Sequence, residues 1–244
     1  MGLHGDRLTN RAFGYNLLYV QQVKIMTEST VTDRERNGAR TKRLVLDAAE
    51  ALFAERGYQG TSLNDVATSA GVSRGTPGYF FGSKAELYQA VIDRCFEGVR
   101  QAIRSGKERA LASGRGAEVV LAGAVADYFD FMTDHPRFVR LMEWEALSGG
   151  EQLPDTPPLV EVVREALDAM SLELEVGPAQ RESTAQLLLS IISLSWFPLV
   201  HSRTVLLALG LDPADPGFAE ARKRHVVELV VRGAREQLAL AVSE

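Results

Sequence analysis

The stretch GVSRGTPGYFFGSKAELY, residues 71–88, decides how this chain is read. Its middle, Gly75-Thr76-Pro77-Gly78, has the composition of a turn, yet helical signals flank it on both sides. Upstream, TSLNDVATSAG (61–71) pairs Ser62 with Asp65 three residues on, a capping-box-like start. Leu63, Val66, Ala67 and Ala70 then give a short apolar face, and Gly71 ends the helix. Further upstream, from Arg40, the residues Val45, Ala48, Ala49, Leu52 and Phe53 recur at helical spacing until Gly57, which suits a left-handed cap. After Val72, Ser73 can cap a third helix. A long helix followed by two short ones across a tight glycine turn is the layout of a helix-turn-helix unit.

Downstream, the pattern predicts a helix from about Lys84 to Arg104, with Leu87, Tyr88, Val91, Ile92, Cys95, Phe96, Val99 and Ile103 as its stripe. It would span roughly 30 Å and link two domains. The stretch SGKERALASGRG loosens the pattern. Helical segments follow at about 117–133, 136–147, 158–172, 178–209 and 216–242, several opening on proline. No strand alternation persists, so the fold class is all-α. Residues 1–36 have no sustained period and are expected to form a flexible extension, with Met26 an alternative natural start.

The net charge of −5 hides a polarity. Residues 1–107 hold 15 lysines and arginines against 11 acids, and residues 108–244 hold 12 against 21. Arg34, Arg36, Arg40, Lys42 and Arg43 cluster within ten residues, a pattern that suits phosphates or a solvated face. The most apolar run, Leu187 to Leu199, is broken by Ser190, Ser193, Ser195 and Pro198, which argues against a membrane span. Cys95 stands alone and no secretory pattern precedes the first helix, so a reducing cytoplasm is expected.

Residues 40–92 resemble the amino-terminal domain of the TetR family of transcriptional regulators. The resemblance rests on Ala48-Ala49 with Leu52-Phe53, Arg56-Gly57-Tyr58, Thr61-Ser62, Val66-Ala67, Ala70-Gly71-Val72-Ser73, Gly75, Phe81, Ser83-Lys84 and Leu87, in order and at the family's spacing. It implies a helix-turn-helix domain over 37–83, a connecting helix over 84–107 and a helical ligand-binding and dimerisation domain over 108–244. It also implies a recognition helix from about Arg74 to Phe80. With Ser73 as N-cap, Pro77 would remove one intrahelical bond, back to Ser73. Gly75 would let the backbone approach a DNA edge closely. Arg74 suits guanine O6 and N7, and the Thr76 methyl suits a thymine methyl.

By the same resemblance Thr61 or Ser62, together with Lys84, contact phosphates. For Thr61 and Ser62 simple capping is the other reading. Arg36 and Arg40 could reach a minor groove as an arm. The family usually has a bulky apolar residue where this chain has Pro77, and a phosphate-touching tyrosine where it has Gly78. Here Tyr79 follows instead, placed either on DNA or in the core.

In the second half the resemblance implies a small-molecule effector and a homodimer through the last two long helices, reading an inverted repeat in double-stranded DNA. Phe129, Met132, Phe138, Met142, Trp144, Trp196 and Phe197 are of pocket-lining type, though such residues also build cores. No cofactor, metal or enzyme chemistry is expected. Gly78-x-x-x-Gly82-Ser83-Lys84 has the wrong spacing for a P-loop, and His4, His135, His201 and His225 show no ligand spacing. Glu143 and Glu145 point to different sides of a helix, and the serines of 190–195 are expected to bond back to helix carbonyls. The rival reading is a helical small-molecule-binding or scaffold protein without specific DNA binding.

Overall fold

The computed structural model describes residues 36–112, 116–152 and 157–241, so the expected extension lies almost wholly outside the described residues. Among the described residues every regular element is a helix. Helix α1 already runs at residue 36 and continues to 56. Its opening turns carry polar residues, such as Thr41 bonding back to Asn37 O at 2.8 Å, and hydrophobic periodicity cannot see them. Arg36 and Arg40 therefore sit on a helix and not on an extended arm.

Helix α2 (Leu63–Ser69) and α3 (Thr76–Phe81) follow, then the long α4 (Lys84–Ala112). The continuation of α4 past Arg104 is a tertiary effect. Gly106 is buried against α5 (Ala117–Asp134), and Arg109 pairs with Asp127 of α5 at 2.5 Å, which offsets weak local propensity. Helices α6 (Pro136–Leu147) and α7 (Pro157–Glu173) begin on prolines, as the first helical position allows.

The segment expected as one helix over 178–209 is divided. A 3-10 turn (Pro178–Gln180) leads into α8 (Arg181–Val200), and α9 (Val205–Ala208) is separate. Pro198 lies inside the last turn of α8 and has no N–H to give the Leu194 carbonyl. Arg222 of α10 (Phe218–Ala241) donates to that carbonyl at 3.1 Å, so the freed acceptor is satisfied from outside the helix. Ser190 bonds back to Gln186 O at 2.9 Å as expected, whereas the Ser195 hydroxyl is buried without a partner.

Two apolar clusters hold these helices. The first joins Val45, Phe53 and Val66 of α1 and α2 to Leu87, Val91 and Ile92 of α4, and continues through Phe131, Phe138, Leu141 and Val162. It does not break at residue 83 or 107. The second gathers Leu121, Val125 and Phe129 with Leu187, Ile191, Val226 and Val230, around α5, α8 and α10. Cys95 lies in the first cluster, where burial pushes its thiol up to about 12, an inert small apolar residue.

Candidate nucleic-acid interface and ligand cavity

The turn-like composition at 74–78 resolves into a turn followed by a helix. Thr76 N–H donates to Ser73 O at 2.9 Å, the hydroxyls of Ser73 and Thr76 lie 2.7 Å apart, and Gly75 is the N-cap. The helix starts two residues later than the sequence suggests. Pro77 is then its second residue, where an N–H has no intrahelical partner in any case, so the bond expected to be lost back to Ser73 is not lost. The ring is fully buried, taking the inward place that a bulky apolar residue would fill.

Tyr79 takes the other side. It is 84 % exposed, with only the edge of Phe80 against its ring at 5.1 Å. Arg74, Gly75 and Ser73 are exposed, and a side chain built at Gly75 or Gly78 would meet nothing within 4 Å. The outer surface of α3 is thus bare backbone flanked by an arginine, two hydroxyls and a tyrosine.

Ser62 is exposed at the start of α2 in a complete capping box. Asp65 N–H donates to its hydroxyl at 3.2 Å, and its own N–H donates to Asp65 Oδ2 at 2.9 Å. Those bonds hold the Asp65 carboxyl below the usual carboxylate range. Thr61 is different: it is 2 % exposed, and its hydroxyl donates to Gly57 O at 3.0 Å and Leu52 O at 3.2 Å. The hydroxyl ties the end of α1 to the start of α2 and is spent there. Lys84 opens α4 with its ammonium 4.2 Å over the Tyr58 ring, beside a second box between Ser83 and Glu86.

Three contacts bolt this unit to the rest. Arg94 of α4 pairs with Asp47 at 2.6 Å and with Glu50, both on α1. Trp144 of α6 donates to Ala54 O at 3.2 Å and covers Gly57, whose φ of 69° and the indole 3.0 Å from any added Cβ leave room only for glycine. Tyr88 of α4 donates to Glu145, which is 4 % exposed and has its other oxygen unpartnered. Burial, reinforced by that carboxyl, pushes the Tyr88 hydroxyl well above its ordinary value. Glu143 instead pairs with Arg140 at 3.1 Å.

Farther from α3 lies a cavity of about 190 Å³. Of the sequence candidates, Met132, Phe138, Met142 and Trp196 line it. Phe129 is buried in the second cluster, Trp144 belongs to the bolt, and Phe197 is 49 % exposed on α8. Sequence reasoning missed Phe96, Tyr128 and the face of α7. The available signal was the run Leu159, Val162, Ala166, Ala169 and Met170 at helical spacing, ending in the charged Glu173. Among the described residues no three of His, Cys, Asp and Glu come together to hold a metal.

The model of the bacterial regulatory proteins of the tetR family matches residues 45–91, and that of the tetracyclin repressor-like C-terminal domain matches residues 118–230. The chain belongs to the TetR family. It is a DNA-binding transcriptional regulator, and the rival reading without DNA binding is not favoured. Among TetR relatives, the HTH-type transcriptional repressor NicS of Pseudomonas putida is 26% identical over 207 residues, covering 83% of this chain and 96% of that protein. A transcriptional regulator of Streptomyces coelicolor shares the fold with a TM-score of 0.60 at 22% identity, over 79% of this chain and 97% of that one. The ketosteroid transcriptional regulator KstR2 of Mycobacterium tuberculosis does so with a TM-score of 0.56 at 19% identity, over 79% of this chain and 93% of that one.

Proposed function

We propose that the chain is a cytoplasmic repressor that binds an inverted-repeat operator as a homodimer and leaves it when a small molecule fills the cavity. The contrast within α3 carries the reading: Pro77 is buried while Arg74, Gly75 and Tyr79 face solvent around open backbone. Arg74 and Thr76 read base edges, and Tyr79 takes a base or backbone contact. Ser62, Ser73 and Lys84 hold phosphates, with Arg36 and Arg40 adding positive charge from α1. Thr61 serves the fold and not the phosphate, because its hydroxyl has two protein acceptors.

The dimer is supported by uncovered apolar surface on the last two long helices. The most apolar 18-residue window within residues 178–200 has a mean hydropathy of 1.5, high enough for a membrane span by length and composition, yet only 28% of that window is buried. Leu189 is 56 % exposed, and Leu229 of α10 is also exposed. A second copy would bury these groups, and reading an inverted repeat requires the two recognition helices to stand about 34 to 36 Å apart, on successive major grooves.

In-vitro selection of sites from random DNA at near-physiological salt tests the proposal. An enriched inverted repeat is the expected result; a folded, dimeric protein that enriches nothing would sink it.

A further inference from the structure

The lining of the cavity says what kind of molecule belongs there, given the reading above that a small molecule controls DNA binding. Among the described residues no lysine, arginine or histidine lines it, and the one charged side chain there, Glu173, already has an interaction of its own. We propose that the effector is a compact, uncharged, largely apolar molecule of substituted-benzene size carrying one hydroxyl or carbonyl group, and that the cavity rejects carboxylates.

Size comes first. An apolar cavity of about 150 Å³ stays dry and takes benzene, so one of about 190 Å³ takes a ring with a small branched substituent. Charge comes second. A carboxylate entering this space loses its water and finds no lysine, arginine or histidine among the described lining residues to replace it. A neutral molecule avoids that cost.

The polar end is set by Tyr128. Its ring packs against both apolar clusters, and its hydroxyl makes no protein hydrogen bond among the described residues. Burial pushes that hydroxyl up to about 12, so it stays protonated and can donate to a ligand oxygen. The position also fits regulation. Phe96, Met132 and Phe138 on the lining belong to the cluster shared with α1 and α2, whereas Val125, Leu174 and Ile191 belong to the cluster around α8 and α10. A ligand here fills the seam between the two cores.

The test titrates the full chain calorimetrically at pH 7 with probes on one skeleton: 4-isopropylphenol, isopropylbenzene and 4-isopropylbenzoate. The phenol should bind at least about tenfold more tightly than the benzoate. Tyr128→Phe should weaken the phenol and leave isopropylbenzene unchanged. Ala166→Leu, placing bulk in the cavity, should abolish binding while its thermal unfolding shows it folded. Benzoate binding as tightly as the phenol, or no heat from the phenol up to its solubility, overturns the assignment. DNA affinity measured with the phenol bound separates the two claims. If the phenol occupies the cavity and operator binding does not change, the ligand-response reading falls and the assignment of ligand class stands.

Discussion

Helices α2 and α4 begin on reciprocal side-chain caps, Ser62 with Asp65 and Ser83 with Glu86, while α5, α6 and α8 begin without any side-chain cap. Two helices of the amino-terminal unit are thus started by short-range polar bonds written into neighbouring residues, whereas α3 between them starts on Gly75 with no side-chain cap. The bundle helices are fixed by apolar burial between residues far apart in sequence, around a seam that is not filled. On the proposed function, the local bonds hold the ends of the surface offered to DNA, and the distributed packing around a cavity leaves a ligand something to rearrange.

The strongest way to break this contrast is to damage the core the two halves share. Phe53 is fully buried on α1 with its ring edge-on to Tyr88 at 4.9 Å. Phe53→Ala should cost about 3 to 5 kcal/mol and abolish DNA binding with stability, read by chemical denaturation. If the bundle kept its melting behaviour, the halves would fold independently and the shared cluster would carry no coupling.

Next comes the bolt. Tyr88→Phe strands both oxygens of a carboxyl that is 4 % exposed, at an expected loss of about 1 to 3 kcal/mol. Adding Glu145→Leu should recover most of it, because two apolar groups leave nothing unpaired. A double variant no better than the single would show that this hydrogen bond is not what matters at the junction.

How legible each region was follows from the same division. Gly57, Gly71 and the Ser62–Asp65 box could be read because turn and cap chemistry depends on residues a few positions apart. The start of α3 was misplaced by two residues, since whether Ser73 or Gly75 caps depends on where Pro77 packs, a tertiary fact. In the bundle, helix positions were visible from periodicity, but core and cavity residues were not separable. Phe129 and Met132 lie one turn apart on α5 and differ only in which helices face them. The extension of α4 to Ala112 was invisible for the same reason, being held by Asp127 of another helix.

A smaller effect sharpens the claim about caps. Ser62→Ala should cost about 1 kcal/mol and weaken DNA binding further than that loss of stability explains, if the hydroxyl also meets a phosphate. The cap is pH-dependent with a definite sign. The native Asp65 carboxyl is held by Ser62 below the ordinary aspartate value of 3.8, so its stabilisation is present above that value. It is lost as pH falls through the native value. Glu86, lowered by Ser83 from 4.5, behaves the same way. Acid titration of the Ser62→Ala variant should show a shallower loss than the parent chain, and an identical slope would remove Asp65 from the account.

The smallest expected effect bears on why a recognition helix carries glycine at all. Gly78 lies inside α3 with nothing within 4 Å of an added Cβ, so no clash in the free protein requires glycine there. Local propensity argues against it: alanine should stabilise the helix by roughly 0.5 to 1 kcal/mol. A residue that costs stability and is not required by packing is explained if the missing side chain matters in the complex, where DNA comes against that backbone. Gly78→Ala should therefore raise the unfolding midpoint while lowering affinity for the selected operator, two changes of opposite sign from one methyl group. Affinity that stayed level as stability rose would mean that α3 meets DNA through Arg74 and Tyr79 alone, with its backbone held away.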